Sequence, residues 1–366
     1  MNTYTIAVLE GDGIGPEITR EAIKVLQTVE ADLDIRFELV HAPFGGQAWF
    51  DHGASFPRET QEICDKADAI LKGPIGLGTE ASRQIPVEEQ PERGALLPMR
   101  RRYNTFANFR PVYLPPALRH FSPLRPERIP EGINIMMIRE LVGGLYFGQK
   151  SSGERPESGR YVEETLEYTE EQIRRILIVA FEEARKRRKL LHSVHKSNVL
   201  LSSVLWNDVL EEVRLDYPDV TLRHIIVDAA ATALVLHPEQ FDVMVMENMF
   251  GDILSDLAGG ILGSLGLMPS ACIGTEKSYY EPSHGSAPDI AGKGIANPYS
   301  MIGSVALMLE KSFKQEAAAR RIWDALHAVF GAGYVTADLA TPETRDNIVG
   351  TAEFGEKVLA ALSGRA

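Results

Sequence analysis

The stretch YTIAVLEGDGIGPEITREAIKVLQTVEA, residues 4–31, contains a strand pattern followed at once by a helix pattern. The opening YTIAVLEGD is a short apolar run that ends in a turn, which is typical of a buried strand. Pro16 then stands near the first turn of a helix, and apolar residues recur at helical spacing from Ile18 to Val29. A buried strand that leads directly into an amphipathic helix is the unit from which α/β folds are built.

The same alternation continues along the chain. Strand-like runs recur in ADAILKGPIG, INIMMIREL, LLHSVHKSNVL, RHIIVDAAA and FDVMVMENM. Helical patterns lie between them in EEQIRRILIVAFEEARKRRK and SSVLWNDVLEEVRL, and near the end in ETRDNIVGTAEFGEKVLAAL. This alternation predicts an α/β protein. No internal repeat or linker is visible, so composition does not locate the domain boundaries.

Composition and net charge limit the classes of partner that the protein can bind. The 366 residues are enough for two domains, and 44% apolar with 24% charged residues is ordinary for a globular protein. A net charge of −13 argues against nucleic acid or an anionic membrane as a partner. The two cysteines, Cys64 and Cys272, indicate free thiols in a reducing compartment. The start has no basic region and the apolar window 257–274 is broken by glycines, so we expect a cytoplasmic protein without signal peptide or membrane span.

The glycine-rich motif GDGIGPEI, residues 11–18, does not match a dinucleotide fingerprint. It has G-x-G after a strand but lacks the third glycine, and Glu17 stands where close packing is needed. A phosphate-binding enzyme built on this loop is also disfavoured. The loop has no G-K-[ST] ending, and Glu10, Asp12 and Glu17 surround its glycines.

The stretch NMFGDILSDLAGG, residues 248–260, places Asp252 and Asp256 four residues apart on one helix face. Two like charges at this spacing repel each other. A divalent cation would convert the repulsion into a chelate, because Mg²⁺ and Mn²⁺ prefer carboxylate oxygens. The alternative is a solvated acidic face near a helix start, where the helix dipole tolerates Asp. The spacing alone leaves both interpretations open.

Several basic residues stand where a site is expected. Arg100 and Arg110 lie in ERGALLPMRRRYNTFANFRPV, and Arg139 ends the apolar run INIMMI. Arginine suits two-pronged binding of carboxylates, although each could be a surface charge. Lys196 closes another strand-like run, at the end of a strand that faces ligands in open α/β sheets. The loop YYEPSHGSAPDIAGKGIANP, residues 279–298, could wrap its backbone around a nucleotide.

Five motifs together resemble those of the β-decarboxylating dehydrogenases in order and spacing: GDGIGPEI, RELVGGLYFG, HKSNVL, NMFGDILSD and EPSHGSAPDIAGKGIANP. The resemblance covers residue 5 to about residue 360 and implies a two-domain α/β fold of the isopropylmalate/isocitrate dehydrogenase type, not a Rossmann fold. Residues 1–105 and 263–366 are expected to form a nucleotide-binding domain. Residues 106–262 are expected to form a dimerisation and metal/substrate domain, with the active-site cleft between the two domains. The resemblance also implies a homodimer whose active sites are shared between subunits.

The resemblance assigns roles to individual residues. It implies that Lys196 takes the proton of the substrate hydroxyl and that Tyr146 protonates the enolate. Three aspartates are implied to bind Mg²⁺ or Mn²⁺, namely Asp252, Asp256 and, from the other subunit, Asp228. Three arginines are implied to bind the malate carboxylates, namely Arg100, Arg110 and Arg139. The implied NAD contacts are His284, Gly285, Ser286, Ala287, Asp289, Ile290, Asn297 and Asn198.

The activity implied is NAD-dependent oxidative decarboxylation of a 3-substituted malate, a small molecule. The pocket for the C3 substituent is expected to comprise Leu96, Leu97 and, from the partner subunit, Val199. Because all three are apolar, we expect 3-isopropylmalate, which gives 4-methyl-2-oxopentanoate and CO₂ in leucine biosynthesis. NAD is expected over NADP, since Asp289 and Ile290 stand where NADP-using relatives have Lys and Tyr.

Three positions depart from the pattern of isopropylmalate enzymes. His195 stands where Asp is usual, Val142 replaces a common Thr, and Ala229 replaces a frequent Asn. They leave open a related substrate, such as isocitrate, homoisocitrate, tartrate or another 3-alkylmalate. A catalytically silent paralogue is a further alternative, which the retention of the lysine, tyrosine, aspartates and arginines disfavours.

Overall fold

A computed structural model describes residues 2–342 and 344–364. The strands, in chain order, are β1 (Asn2–Leu9), β2 (Ile35–His41), β3 (Ala69–Lys72), β4 (Ala107–Leu114), β5 (Ile133–Glu140), β6 (Lys150–Arg155), β7 (Gly159–Glu164), β8 (Leu190–His195), β9 (Thr221–Ile226), β10 (Val243–Met246), β11 (Pro269–Ile273) and β12 (Tyr279–Pro282). The helices are α1 (Gly15–Glu30), α2 (Gly46–His52), α3 (Arg58–Lys66), α4 (Thr79–Ser82), α5 (Leu97–Arg102), α6 (Glu170–Arg185), α7 (Leu201–Val213), α8 (Val227–Leu236), α9 (Asn248–Leu262), α10 (Tyr299–Lys311), α11 (Glu316–Gly331) and α12 (Thr351–Leu362). The α/β prediction is confirmed.

The chain divides into two compact units. The first comprises Met1–Asn104, Ala117–Pro123 and Gly259–Ala366, and the second comprises Thr105–Pro116 and Leu124–Ala258. The first unit is therefore built from distant parts of the sequence. The roles expected for the two domains, nucleotide binding and metal/substrate binding with dimerisation, stay predictions.

The first unit is organised around β1. This strand pairs in parallel with β2 and β3, β3 pairs in parallel with β12, and β11 runs antiparallel to β12. The last four residues of β1, Ile6–Leu9, are fully buried, as their apolar run predicts. Helix α10 is buried from Tyr299 to Leu309 and packs against β11, β12, α1 and α11. A helix that is apolar on nearly every side has to lie inside the core in this way.

In the second unit, four parallel strands lie in the order β5, β10, β8, β9, and β4 runs antiparallel to β5. The run VMVM of β10 is fully buried, which is typical of a central parallel strand. Met246 pairs with Arg139 on one side and with Val194 on the other. The carboxyl ends of these strands therefore meet at one edge of the sheet, and the residues that follow them lie along that edge.

Two local expectations need correction, and one element was not predicted. RHIIVDAAA is not strand throughout, because β9 ends at Ile226 and the alanine-rich VDAAATALVL forms α8, as alanine's helix propensity favours. The last helix begins at Thr351, after residues 344–350 of the segment predicted as helical, whose first residue lies outside the described residues. The hairpin β6–β7 was not predicted, because its exposed polar sequence lacks the apolar alternation that marks a strand. Among the described residues, no helix is both long enough and apolar enough to cross a membrane.

Candidate active site

Arg139 is the central cation of the second unit's sheet edge. It is the penultimate residue of β5 and only 2% exposed. Its Nε and Nη2 donate to Asn248 Oδ1 at 3.1 and 2.7 Å, and its Nη1 forms an ion pair with Asp252. A guanidinium fixed by a planar amide on one edge and a carboxylate on the other keeps one orientation, which is what carboxylate recognition needs.

Helix α9 begins at Asn248, directly after β10, and crosses the side chain of Arg139 at Gly251. A Cβ added at Gly251 would come within 2.6 Å of Arg139 Cβ and closer still to its Cγ. The glycine of the GDILSD motif is thus required by the arginine that passes beneath it. Sequence analysis did not predict that Gly251 has to be a glycine.

The two aspartates of α9 each contact an arginine. Asp252 pairs with Arg139, and Asp256 Oδ1 lies 3.2 Å from Arg110 Nη1. Arg110 lies on β4 and is 4% exposed, and its Nε donates to Asn108 Oδ1 while its Nη1 donates to Ser255 Oγ. The like charges that the spacing predicts are therefore balanced by two buried cations.

Tyr146 joins the same group. It ends the short 3₁₀ turn Gly144–Tyr146 after β5, and its hydroxyl donates to Asp252 Oδ2 at 2.8 Å. Its ring lies 5.6 Å from the guanidinium carbon of Arg139. The structure thus brings together Tyr146, Arg110, Arg139, Asp252 and Asp256, which we call the arginine–aspartate group.

The chemistry of the aspartate pair fits a hard divalent cation. The side chains of Asp252 and Asp256 are 38% and 55% exposed, so their oxygens keep access to solvent. The pKa of Asp256 is raised above its usual value. Burial is the largest cause, and the neighbouring Asp252 carboxylate also raises it, whereas Arg110 lowers it. A bound divalent cation would relieve the repulsion between the two carboxylates. Within residues 2–342 and 344–364, no three His, Cys, Asp or Glu side chains converge to hold a metal.

Lys196 and Asp228 form a separate pair at the same sheet edge. Lys196 directly follows β8, Asp228 is the second residue of α8 after β9, and His195 pairs with Ile226 between these strands. The ammonium of Lys196 donates to Asp228 Oδ1, and this hydrogen bond holds the pKa of Asp228 below its usual value. The Lys196 side chain is 27% exposed and that of Asp228 66%, so both can reach other groups.

His195, the position that departs from the isopropylmalate pattern, is turned inward. It is 7% exposed, and its Nδ1 accepts from the Ser197 amide at 3.3 Å. Burial and the neighbouring His224 lower the pKa of His195, so the ring is neutral near pH 7. Val142 lies in the turn after β5 and Ala229 is exposed on α8.

Arg100 belongs to the first unit and has partners of its own. It lies on α5, is 5% exposed, and its Nε donates to the Tyr279 hydroxyl at 2.9 Å. Glu281 Oε1 lies 3.9 Å from Arg100 Nη2, and Glu281 Oε2 forms an ion pair with Nζ of the buried Lys72 at 2.7 Å. Sequence reasoning missed Lys72, Tyr279 and Glu281, although Tyr279 and Glu281 stand in the quoted loop YYEPSHG.

The first unit contains a cavity of about 590 Å³, a size typical of small-molecule sites. Five of the expected NAD contacts line it: His284, Gly285, Ala287, Ile290 and Asn297. Sequence reasoning missed other lining residues, among them Ile14, Leu265 and Asp338. Ile14 stands in the quoted GDGIGPEI motif, which was considered as a dinucleotide fingerprint, a phosphate loop and a family motif without this residue being singled out.

Polar groups of this cavity are held by hydrogen bonds. His284 Nδ1 lies 2.8 Å from the Gly285 carbonyl, so it donates, and Nε2 then accepts from Ser300 Oγ at 2.8 Å. Burial lowers the pKa of His284, which favours this neutral ring. Asn297 Nδ2 donates to Asp338 at 3.1 Å. An apolar cavity with a few fixed polar groups fits an adenosine moiety.

The remaining expected contacts are spread more widely. Ser286 is buried and donates to the Gly76 carbonyl, whereas Asp289 is exposed on the 3₁₀ turn Pro288–Ile290. Asn198 is exposed in the turn after β8 and belongs to the second unit. Leu96 and Leu97 are half-buried at the junction of a π-helical turn and α5, and Val199 is 68% exposed.

The GDGIG loop supports the cavity wall and shows no phosphate cradle. The buried Asp12 carboxylate accepts from the amides of Gly46, Gln47 and Gly76 at 2.8 to 2.9 Å. These are donors of the kind that would bind a phosphate, and a carboxylate of the chain itself already occupies them. The Ile14 amide donates to the Ser286 carbonyl at 2.8 Å, which fixes the loop that carries His284.

Comparisons with known proteins agree with this arrangement. The family model described as isocitrate/isopropylmalate dehydrogenase matches residues 5–358. A 3-isopropylmalate dehydrogenase of Geobacter sulfurreducens is 47% identical over 98% of this chain and 99% of its own length. One of Desulfitobacterium hafniense is 48% identical over the same shares. The crystal structure of isocitrate dehydrogenase from Methylococcus capsulatus has a TM-score of 0.85 at 34% identity, over 99% of this chain and 100% of that one.

The family model spans nearly the whole chain, and the curated relatives align with it almost end to end. The motifs that these matches cover are those that form the arginine–aspartate group and line the cavity of the first unit. The chain therefore belongs to the isocitrate/isopropylmalate dehydrogenase family.

Proposed function

We propose that this dehydrogenase oxidises and decarboxylates (2R,3S)-3-isopropylmalate to 4-methyl-2-oxopentanoate and CO₂, with NAD, in leucine biosynthesis. The observation that carries the proposal is the arginine–aspartate group. Two guanidiniums that are nearly fully buried stand beside two carboxylates that keep access to solvent. Such a group can bind the carboxylates of a malate core next to a divalent cation.

Arg110 and Arg139 would bind the substrate carboxylates. They lie on adjacent antiparallel strands, where Asn108 pairs with Arg139 and Arg110 with Met137. Hydrogen bonds to Asn108 and Asn248 fix the two guanidiniums before substrate arrives, which lowers the entropic cost of binding. Arg100 would be the third arginine to bind the substrate carboxylates, and Tyr279 and Glu281 would hold its side chain in place.

Lys196 and Tyr146 would move the protons. Lys196 would accept the proton of the C2 hydroxyl once its ammonium, which pairs with Asp228 in this structure, has given up a proton to solvent. After CO₂ is lost, Tyr146 delivers a proton to the C3 carbon of the enolate. Its hydroxyl donates to Asp252 at 2.8 Å, so its hydrogen already points towards the aspartate pair.

Asp252 and Asp256, with Asp228 of a second subunit, would hold Mg²⁺ or Mn²⁺, and the cavity lined by His284 and Asn297 would hold the adenosine part of NAD. When bound, NAD supplies the hydride acceptor, and the cation stabilises negative charge on a substrate oxygen. Asp289, exposed beside the cavity, would accept hydrogen bonds from the ribose hydroxyls and repel a 2′-phosphate. NAD is therefore the proposed cofactor.

The isopropyl group would bind to Leu96, Leu97 and, from a second subunit, Val199. Burying its three carbons contributes roughly 2 kcal/mol at about 0.8 kcal/mol per carbon. The carboxymethyl group of isocitrate would leave a charge unpaired there, which costs several kcal/mol. We further propose that the protein works as a homodimer, because the proposed site takes Asp228 and Val199 from a second copy of the chain. We also propose that it works in the cytoplasm.

Isocitrate is the second candidate, because a solved isocitrate dehydrogenase has a closely similar fold. The curated relatives at 47% and 48% identity carry the name 3-isopropylmalate dehydrogenase, which supports the first candidate. The neutral, inward-facing His195 also provides no cation for a third carboxylate.

The test is a panel of 3-substituted malates, including 3-isopropylmalate, isocitrate, homoisocitrate and tartrate, assayed by NADH or NADPH formation. We expect the highest kcat/KM with 3-isopropylmalate and NAD, and rates lower by about tenfold or more for each contact group removed from the substituent. Faster turnover of isocitrate would replace the proposed substrate, and equal use of NADP would remove the proposed role of Asp289. A Leu96→Ser variant should lose 3-isopropylmalate activity and gain on isocitrate.

A further inference from the structure

Tyr168 links the two chain segments that lead to Tyr146 and to Asp252, without belonging to the arginine–aspartate group. It is buried immediately before α6, and its hydroxyl lies 3.2 Å from Glu140 Oε2 and 3.3 Å from Glu247 Oε2. The same hydroxyl accepts from the Asn248 amide at 3.0 Å. One phenol oxygen thus contacts three residues from two chain segments, the end of β5 and the start of α9.

Each of the two glutamates holds a turn that leads to a proposed site residue. Glu140 accepts from the amides of Val142 and Gly143 at 3.0 and 2.8 Å, in the turn that leads to Tyr146. Glu247 accepts from the amides of Met249 and Phe250 at 3.2 and 3.0 Å, in the first turn of the helix that carries Asp252.

The Tyr168 ring also supports the Tyr146 turn directly. A Cβ added at Gly143 would come within 2.5 Å of Tyr168 Cε1, and one at Gly144 within 2.6 Å of its hydroxyl. Gly144 moreover has a φ of +71°, which favours glycine. The Asn248 side chain donates to the Gly143 carbonyl at 3.0 Å, across the same junction. The glycine pair of RELVGGLYFG, to which the proposed chemistry gives no task, is thereby explained.

The hydroxyl matters because both carboxyl groups are buried. Glu140 is fully buried and Glu247 is 6% exposed, and burial raises the pKa of each. Burial also raises the pKa of Tyr168, which therefore stays a neutral donor. Removal of its hydroxyl would leave the buried Asn248 amide without its acceptor and would take one hydrogen bond from the two carboxyl groups, so the two turns could then shift relative to each other.

We infer that Tyr168 is a positioning residue, which holds the turn carrying Tyr146 in register with the helix carrying Asp252. The inference rests on the proposed function, because it acts through the proton transfer assigned to Tyr146. It assigns Tyr168 no contact with substrate.

The first test is Tyr168→Phe in the full-length enzyme, because phenylalanine keeps the ring beneath the glycine pair. We expect kcat to fall by about 10- to 100-fold, as displacement of a catalytic group by about 1 Å does. KM and the Mn²⁺ dissociation constant, measured by electron paramagnetic resonance, should stay within about threefold, because both aspartates lie on one helix and move together. An unchanged kcat, or an equal loss of Mn²⁺ affinity, would overturn the inference.

Tyr217→Phe is the matched control. Tyr217 is also buried in the second unit, but its ring stacks on Phe181 at 4.7 Å and its hydroxyl interacts with Glu182, on α6. This variant should keep wild-type kcat. A similar loss of kcat in both variants would show a general structural effect and would refute a positioning role.

A double-mutant cycle tests whether Tyr168 acts through Tyr146. In a Tyr146→Phe background, Tyr168→Phe should lower the residual kcat by less than about threefold, because the group that it positions has gone. A full 10- to 100-fold further loss would mean that Tyr168 acts by another route, and the inference would fail.

A measurement without turnover separates this inference from the proposed function. Tyr168→Phe should speed hydrogen–deuterium exchange of the Val142 and Gly143 amides at least fivefold, and Tyr217→Phe should not. If wild-type protein turned over none of the 3-substituted malates, the proposed function would fail, and the exchange result would still decide whether Tyr168 holds the turn. Unchanged exchange would refute the positioning role even in an active enzyme.

Discussion

Gly251→Ala tests whether the glycine of GDILSD is required by Arg139. A Cβ at this position would lie 2.6 Å from Arg139 Cβ, whereas ordinary contact begins at 3.4 Å, so the two must separate by ~0.8 Å. The clash involves the root of a side chain that is 2% exposed, and rotation of its far end cannot relieve it. The helix or the arginine therefore has to move.

Two effects on stability oppose each other. Alanine gains about 1 kcal/mol of helix propensity over glycine, whereas overpacking a core costs about 1–3 kcal/mol. The free energy of unfolding should therefore fall by no more than about 2 kcal/mol. The effect on activity should be larger, since a displacement approaching 1 Å at a catalytic or binding group costs on the order of 100-fold.

Gly260→Ala is the control, because it lies in the same helix and an added Cβ there has no atom within 4 Å. It should leave kcat/KM unchanged and raise the free energy of unfolding by up to about 1 kcal/mol. Urea unfolding and initial rates of NADH formation with 3-isopropylmalate measure the two quantities for both variants. Wild-type kcat/KM in Gly251→Ala would refute the reasoning, as would an equal loss in Gly260→Ala.

Three further predictions follow from the site and the core. EDTA should abolish activity, and Mn²⁺ or Mg²⁺ should restore it. Asp252→Asn should weaken Mn²⁺ binding about 10-fold or more while folding is largely kept. Full activity in the presence of chelator would contradict this prediction. Lys196→Met and Tyr146→Phe should each lower kcat by about 100-fold or more while substrate still binds in calorimetry; a Tyr146→Phe enzyme with a normal rate would remove this residue from the mechanism. Burial lowers the pKa of His192 from 6.5 to about 4, so folding disfavours its charged form and stability falls as the pH drops through this range. Between pH 7 and pH 5, the free energy of unfolding should fall by about 2 kcal/mol less in His192→Phe than in wild type. An unchanged pH dependence in urea titrations would exclude His192 as the cause.

Local pattern was enough for much of the fold. The strand and helix at the start of the chain, and the helix that carries Asp252 and Asp256, were predictable because their apolar periods and turn residues lie within a few residues of one another. The boundary at Val227 was missed, because the β-branched run IIV crosses it and the alanines that favour the helix come only afterwards.

The partners of the site residues were decided by tertiary structure. Sequence showed two aspartates that should repel, but Arg139 and Arg110 lie 113 and 146 residues away from them. They meet because β10 pairs with β5 and β5 with β4, and nothing in the local pattern of a strand specifies its neighbours in a sheet. In the same way, the sequence of the glycine loop disfavoured phosphate, but only the fold showed that the Asp12 carboxylate binds the amides of Gly46 and Gly76. Sequence therefore determined which chemical groups this protein carries, and long-range strand pairing and loop packing determined which of them came into contact.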